Sequence, residues 1–264
     1  MKLSSVDDRR APAEIVDGIA WLSINNPAKR NALSVAVVTA LDAALRRLDA
    51  DPEVKVIVLR GAGTGAFAAG ADISEFEGQQ NSATVRQAAD ATVAGLFATL
   101  DHLGTPLIAM IHGYCLGAGV AVALGADLRV AGEGARFAIP AARLGVGYPV
   151  ALTSALVHTV GRAHAADILF TGRRLTSREA VEFGLVNRVV ADADLEGEVK
   201  EIASMMAANS PLSLRAAKAS IRATTDLDRR PHAEELVGAC VASADAVEGQ
   251  RAFMEKRPAR FVGA

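Results

Sequence analysis

The chain has 264 residues, 51% of them hydrophobic, and a formal net charge of −2. That length and apolar content suffice for one substantial core, and a charged fraction of 22% argues against long disordered tracts. The near-neutral balance gives no electrostatic reason to expect nucleic acid or an anionic membrane as partner. Two cysteines far apart in sequence, Cys115 and Cys240, make no disulfide framework and point to the reducing cytoplasm.

The first ten residues lack an apolar h-region, so no signal peptide is expected. Residues 14–24 predict a β-hairpin turning at Asp17-Gly18. After a loop over 25–33, Val37, Val38, Leu41, Leu45 and Leu48 recur at helical spacing behind Ser34, a candidate N-cap. Residues 54–59 predict a buried strand, and 84–103 a helix that stops at Gly104-Thr105-Pro106. A second strand over 107–111, a helix to about position 125 and a strand over 127–131 follow. The uncharged run 106–126 imitates a membrane span, but its glycines at 113, 117, 119 and 125 favour a strand–turn–helix passage. This strand–helix alternation predicts a parallel sheet with βα crossovers. Beyond Val150 helices dominate: Thr176 with Glu179 reads as a capping box, and Gly184 ends that helix before a strand over 185–190. Ser210-Pro211 opens another helix, and the charged stretch 248–261 is too polar for the core.

Two small-residue turns carry the chemistry: Ala66-Phe67-Ala68-Ala69-Gly70-Ala71-Asp72-Ile73 and His112-Gly113-Tyr114-Cys115-Leu116-Gly117-Ala118-Gly119. Each follows an apolar strand and opens a helix, so free N–H groups face whatever binds there, and a pair of such turns can hold an oxygen that gains negative charge. Phosphate-loop readings fail. In Gly61-Ala62-Gly63-Thr64-Gly65 the third glycine comes one position early, and Ala71-Asp72 stands where a P-loop needs Lys-Ser/Thr.

With these turns, Asn26-Pro27-Ala28-Lys29-Arg30-Asn31-Ala32-Leu33, Phe170-Thr171-Gly172, Ala180, Gly184-Leu185-Val186 and the run 248–257 resemble the crotonase family, the enoyl-CoA hydratases, isomerases and relatives that act on acyl-CoA thioesters. The likeness covers nearly the whole chain. It implies an α/β fold, a crotonase-like spiral of ββα units over 1–205 that binds acyl-CoA. It further implies a C-terminal helical trimerisation region over 206–264 that also closes over the CoA. It implies homotrimers or dimers of trimers, with coenzyme A entering only as part of the thioester substrate and no permanently bound cofactor or metal. The backbone N–H groups of Ala71 and Ala118 are implied as the oxyanion hole, Ala28, Lys29, Arg30, Ala69, Asp72, Ile73 and Gly117 as CoA contacts, and Phe253 and Lys256 as reaching a neighbouring subunit's CoA.

The acids depart from this pattern. The family's two hydratase glutamates fall at Ala121 and Ala141, and the aspartate of its isomerases and dehalogenases falls at Pro149. None of these side chains can move a proton. Tyr148 is the best polar replacement near the pocket, as donor or as plain pocket wall. Asp72 reads mainly as a helix cap, Glu75 and Glu77 as a solvated face or acyl-channel groups, and Glu133 as a loop residue. His112 reads as a satisfied core histidine, Cys115 as small-residue packing, and His102, His158, His164 and His232 share no metal spacing. Lys29 and Arg30 are candidate phosphate contacts or a solvated loop. The sequence therefore supports an acyl-CoA enzyme with an open reaction; a non-catalytic acyl-CoA carrier is the alternative, with decarboxylation or thioester hydrolysis as weaker readings.

Overall fold

The computed structural model describes residues 8–72, 74–75 and 83–264. Ile73 and Glu77, both singled out above, lie outside the described residues. The larger of two sheets has the order β1-β2-β3-β5-β7-β10, built from β1 (Ala13–Val16), β2 (Ile19–Ile24), β3 (Val56–Gly61), β5 (Leu107–Ile111), β7 (Leu128–Gly132) and β10 (Arg188–Val190). The β1–β2 hairpin is antiparallel and turns at Asp17-Gly18, both at positive φ as a two-residue loop requires; every other pair in this sheet is parallel. Strands alternate side chains between faces. Ile57 and Leu59 of β3 enter the main core, while Val56 and Val58 face Leu195, Val199 and Ile202 on the opposite side. Burial of both faces explains why these strands read as continuous apolar runs.

The second sheet has no counterpart in the sequence reading. It joins β4 (Ala66–Ala68), β6 (Tyr114–Leu116), β8 (Arg136–Ala138) and β9 (Leu175–Thr176) in the order β4-β6-β8-β9. Within the two segments read as turns, Ala66–Ala68 and Tyr114–Leu116 are thus short strands. The run 106–126 folds as strand, strand and short helix, and no described helix is long and apolar enough to cross a membrane.

Helices α1 (Val35–Ala50) and α2 (Ala83–His102) pack against each other, and α1 is capped by Ser34 Oγ, which accepts from the Val37 N–H. Next come α3 (Ala118–Leu124), α4 (Val150–Thr171, broken at Gly161), α5 (Ser177–Glu182, closed by the expected Thr176–Glu179 box) and α6 (Leu195–Ala207), which covers the outer face of the large sheet. The chain ends in α7 (Pro211–Ala223), α8 (Arg230–Val241) and α9 (Ala244–Glu255). Most of the charged 248–261 stretch stays outside the core as expected, although Ala252 is buried.

Polar side chains fasten α7 to the rest. Helix C-termini leave carbonyls without partners, and Arg222 donates to two of them, Leu100 O (3.0 Å) and Leu103 O (2.9 Å), while Arg215 donates to Asp49 O (3.0 Å). Buried Lys218 donates to Thr105 O (2.8 Å) and Asp127 Oδ2 (2.7 Å), and that same carboxylate oxygen accepts from the Leu107 N–H at the start of β5. Asp127→Asn leaves an uncompensated buried ammonium and is expected to cost about 3 kcal/mol in urea unfolding, whereas Lys218→Met, which removes the buried charge itself, costs less.

Candidate active site

The loop 30–33 runs beside the first turn and is fixed to it on both sides. Arg30 O accepts from Ala69 N (3.0 Å), Gly70 O from Leu33 N (2.8 Å), and Leu33 O from Asp72 N (3.2 Å). The Ala71 N–H lies between these bonds and has no acceptor among the described residues. Asn31, 1% exposed, holds the loop in place from within: its Nδ2 donates to Ala62 O and Ala66 O, and its Oδ1 accepts from Asn26 N. Arg30 and Asn31 both adopt positive φ, a conformation asparagine tolerates better than most residues.

The second turn is anchored by Gly117 N donating to Ala138 O at 2.8 Å, after which α3 begins at Ala118. As the first residue of the helix, Ala118 has an N–H with no intrahelical partner, and it finds none elsewhere among the described residues. Parallel pairing of β4 with β6 sets Ala68 opposite Cys115, so the two turns leave the second sheet side by side. Their closeness depends on glycine. A Cβ on Gly119 would lie 2.5 Å from Ala68 O, and Gly70, at φ 104°, would place one 3.2 Å from Leu116 O. The result is two unspent backbone donors on adjoining turns.

The three positions where the family's acids would fall lie on different elements. Ala121 is buried in the first turns of α3, Ala141 is half-buried at the head of a 3-10 turn (Ala141–Leu144), and Pro149 is exposed just before α4. Residues 142–147 are all exposed, and Tyr148 plugs this loop into the core. Its hydroxyl is fully buried with no hydrogen-bond partner among the described residues, a state that costs about 1–3 kcal/mol. Burial, with the Cys115 thiol nearby, pushes the phenol's pKa up, so it stays protonated and can donate but not act as a base. Burial likewise pushes up the Cys115 thiol, which fits packing and not nucleophilic attack.

The other sequence candidates separate. Lys29 Nζ contacts Asp72 Oδ2 (2.6 Å) and Ser74 Oγ (2.8 Å); the hydrogen bond from Lys29 holds the Asp72 carboxyl below its usual range, and Asp72 Oδ1 also accepts from Ser74 N as a helix cap would. Arg30 turns the other way, its guanidinium 5.6 Å from the Tyr114 ring centre, with Arg174 at 5.6 Å from the same ring. Ala28 is exposed, and Ala69 and Gly117 are half-buried. Glu75 is neither solvated face nor acyl-channel group: its Oε2 accepts the Val35 N–H at 2.9 Å and caps α1. Glu133 is an exposed loop residue. His112 donates through Nε2 to Gly63 O, and burial lowers its pKa. It lines a cavity of about 820 Å³ with Arg60, Asp192 and Glu196, at the carboxyl ends of β2, β3 and β5. That cavity borders the start of β6, and the unspent Ala118 donor follows the end of that three-residue strand, roughly 10 Å along it. Phe253 (86% exposed) and Lys256 sit at the end of α9, far along the chain from the turns. Sequence reading missed Asn31 and Arg174; an asparagine followed by Ala-Leu in a loop was the available signal for the first, and for the second there was none.

The fold and the two turns define a class. The sequence model described as "Enoyl-CoA hydratase/isomerase" matches residues 14–264, and the chain belongs to that family, the crotonases. Among its relatives, the short-chain-enoyl-CoA hydratase of Clostridium acetobutylicum is 34% identical over 244 residues, 90% of this chain and 92% of that protein. The 2,3-dehydroadipyl-CoA hydratase of Escherichia coli is 36% identical over 249 residues, 93% and 95% of the two chains. The crystal structure of an enoyl-CoA hydratase/carnithine racemase from Magnetospirillum magneticum superimposes with a TM-score of 0.92 at 32% identity, covering 98% of this chain and 97% of that one. Gly119→Ala, which drives a methyl group into the Ala68 backbone, is expected to cost about 2 kcal/mol in thermal unfolding.

Proposed function

We propose that this chain is an acyl-CoA enzyme in which the N–H groups of Ala71 and Ala118 grip the thioester carbonyl oxygen and stabilise the enolate formed from it. The observation that carries the reading is the pair of unspent donors on adjoining turns. As a proton leaves the α-carbon, charge builds on the carbonyl oxygen, and donors already aimed there need no reorganisation. Loop residues Ala28, Lys29 and Arg30, with Ala69, Asp72, Ile73 and Gly117, are proposed to hold the CoA portion, with Phe253 and Lys256 closing over a neighbour's CoA. Coenzyme A comes and goes with the substrate, and no resident cofactor or metal is part of the proposal.

The acid–base groups differ from a two-glutamate hydratase, because alanine stands at 121 and 141. Tyr148, kept protonated by burial, is proposed as a neutral donor near the acyl group, with water as the mobile proton carrier. The chemistry named by the relatives, hydration of enoyl-CoA, is therefore a reading of the class and not of a preserved acid pair. Residues 206–264 are proposed to assemble homotrimers or dimers of trimers, supported by exposed apolar side chains on the final helices: Ile221, Val241, Val247, Phe253 and Met254. A cytoplasmic location belongs to the same proposal, supported by two free cysteines. A second reading, a non-catalytic acyl-CoA carrier, is favoured by the absence of acids at 121, 141 and 149 alone.

The decisive measurement is exchange of α-protons of an acyl-CoA in D2O, together with crotonyl-CoA hydration. Proline is well tolerated at the first position of a helix, so Ala118→Pro deletes one donor with little cost to α3 and is expected to slow either reaction by about a hundredfold or more. Thioester binding with no exchange in the unaltered protein establishes the carrier instead. The double variant Ala121→Glu/Ala141→Glu is expected to gain crotonyl-CoA hydration; no gain in a folded protein means the pocket has diverged beyond those positions.

A further inference from the structure

The outer face of the second sheet carries positive charge that no described carboxylate neutralises. Strand alternation sends Cys115 and Phe137 into the core, so Tyr114 and Arg136, paired across β6 and β8, share the opposite face. Two further arginines reach the same place from distant parts of the chain. Arg30, in the loop beside the first turn, and Arg174, just ahead of β9, each hold a guanidinium 5.6 Å from the centre of the Tyr114 ring. Both are exposed, and neither guanidinium donates to any acceptor among the described residues. Arg136 donates only to the main-chain carbonyls of Glu133 and Ala135. Their immediate neighbours are spent differently: Lys29 is paired with Asp72, and Arg173 with Asp167 and Glu179. Guanidiniums gathered on one ring without an acid repel one another, and their attraction to the ring offsets that only in part.

We propose that Arg30 and Arg174, with Arg136 beside them, form a diphosphate-binding site on this face, the Tyr114 ring setting the two exposed guanidiniums apart. A bound anion removes the repulsion and takes up the unused donors, and the planar fork of arginine matches the oxygens of a phosphate group. With each guanidinium 5.6 Å from one centre, the two are at most about 11 Å apart, the reach of two linked phosphates with an arginine on either side. The site uses no atom of the two oxyanion donors, so it stands apart from the reaction proposed above. Two sources supply its chemistry, the diphosphate bridge of a coenzyme A thioester and a free nucleoside diphosphate, and the experiment separates them.

The test is calorimetric titration of the unaltered protein, Arg30→Gln, Arg174→Gln and Arg178→Gln with inorganic pyrophosphate and with sulfate, with thermal unfolding of each protein. Arg178, exposed and paired with Glu182 on α5, is the control that loses the same charge outside the cluster. The unaltered protein is expected to bind pyrophosphate about tenfold tighter than sulfate, and Arg30→Gln and Arg174→Gln each to weaken pyrophosphate by about tenfold at an unchanged melting temperature. Arg178→Gln is expected to bind as the unaltered protein does. Absence of pyrophosphate binding, equal affinity for sulfate, or an equal loss in Arg178→Gln overturns the proposal. Butyryl-CoA and ADP are then added to the pyrophosphate complex. Displacement by butyryl-CoA, with its affinity lowered in Arg174→Gln, assigns the site to the diphosphate of the thioester; displacement by ADP while butyryl-CoA binds alongside assigns it to a free nucleotide. Pyrophosphate bound by a protein that takes no acyl-CoA supports the site and overturns the acyl-CoA reading, so the two fail separately.

Discussion

The candidate site depends on one contact: the close approach of two backbone turns made possible where side chains are missing. Parallel pairing of Ala66–Ala68 with Tyr114–Leu116 brings the turns together, and Gly119 meets Ala68 at a distance no Cβ could share. Everything else secures this arrangement. Asn31 ties the flanking loop to the strand before the first turn, Ala138 O holds Gly117, and Glu75 draws the residues after Asp72 against the start of α1. The donors are main-chain groups, so their direction is set by the fold and not by rotamer choice.

Electrostatics near the site are correspondingly quiet. The charged groups closest in sequence are spent on structure: Asp72 on Lys29 and Ser74, Glu75 on a helix end. Cys115 and Tyr148 are both held in their neutral forms by burial. The two donor residues differ in exposure, Ala71 being exposed and Ala118 half-buried. At positions 121 and 141 the side chains are methyl groups that can neither give nor take a proton.

Much of this was legible in the sequence wherever the cause is local. Asp17-Gly18 announced its hairpin, and Ser34 and Thr176 their caps. What escaped notice is non-local or too short to have a period. Strands of two or three residues, such as Leu175–Thr176, cannot show alternation, so the second sheet was invisible and the segments that hold Ala66–Ala68 and Tyr114–Leu116 passed for turns. Glu75 caps a helix that begins 40 residues earlier, and Lys218 bonds to Asp127 across 91 residues. Acidic composition around 72–77 gave no hint of which carboxylate would be captured. The unpaired Tyr148 hydroxyl is a property of burial alone, and no spacing of residues encodes it.

The glycine contact has an evolutionary consequence. Because both unspent donors are main-chain groups, a substitution around them changes a side chain and leaves the donors in place, unless it adds a Cβ at Gly119. The side chains at 121, 141 and 148 are not part of that frame. A frame of main-chain donors can therefore host different side-chain chemistries without being rebuilt.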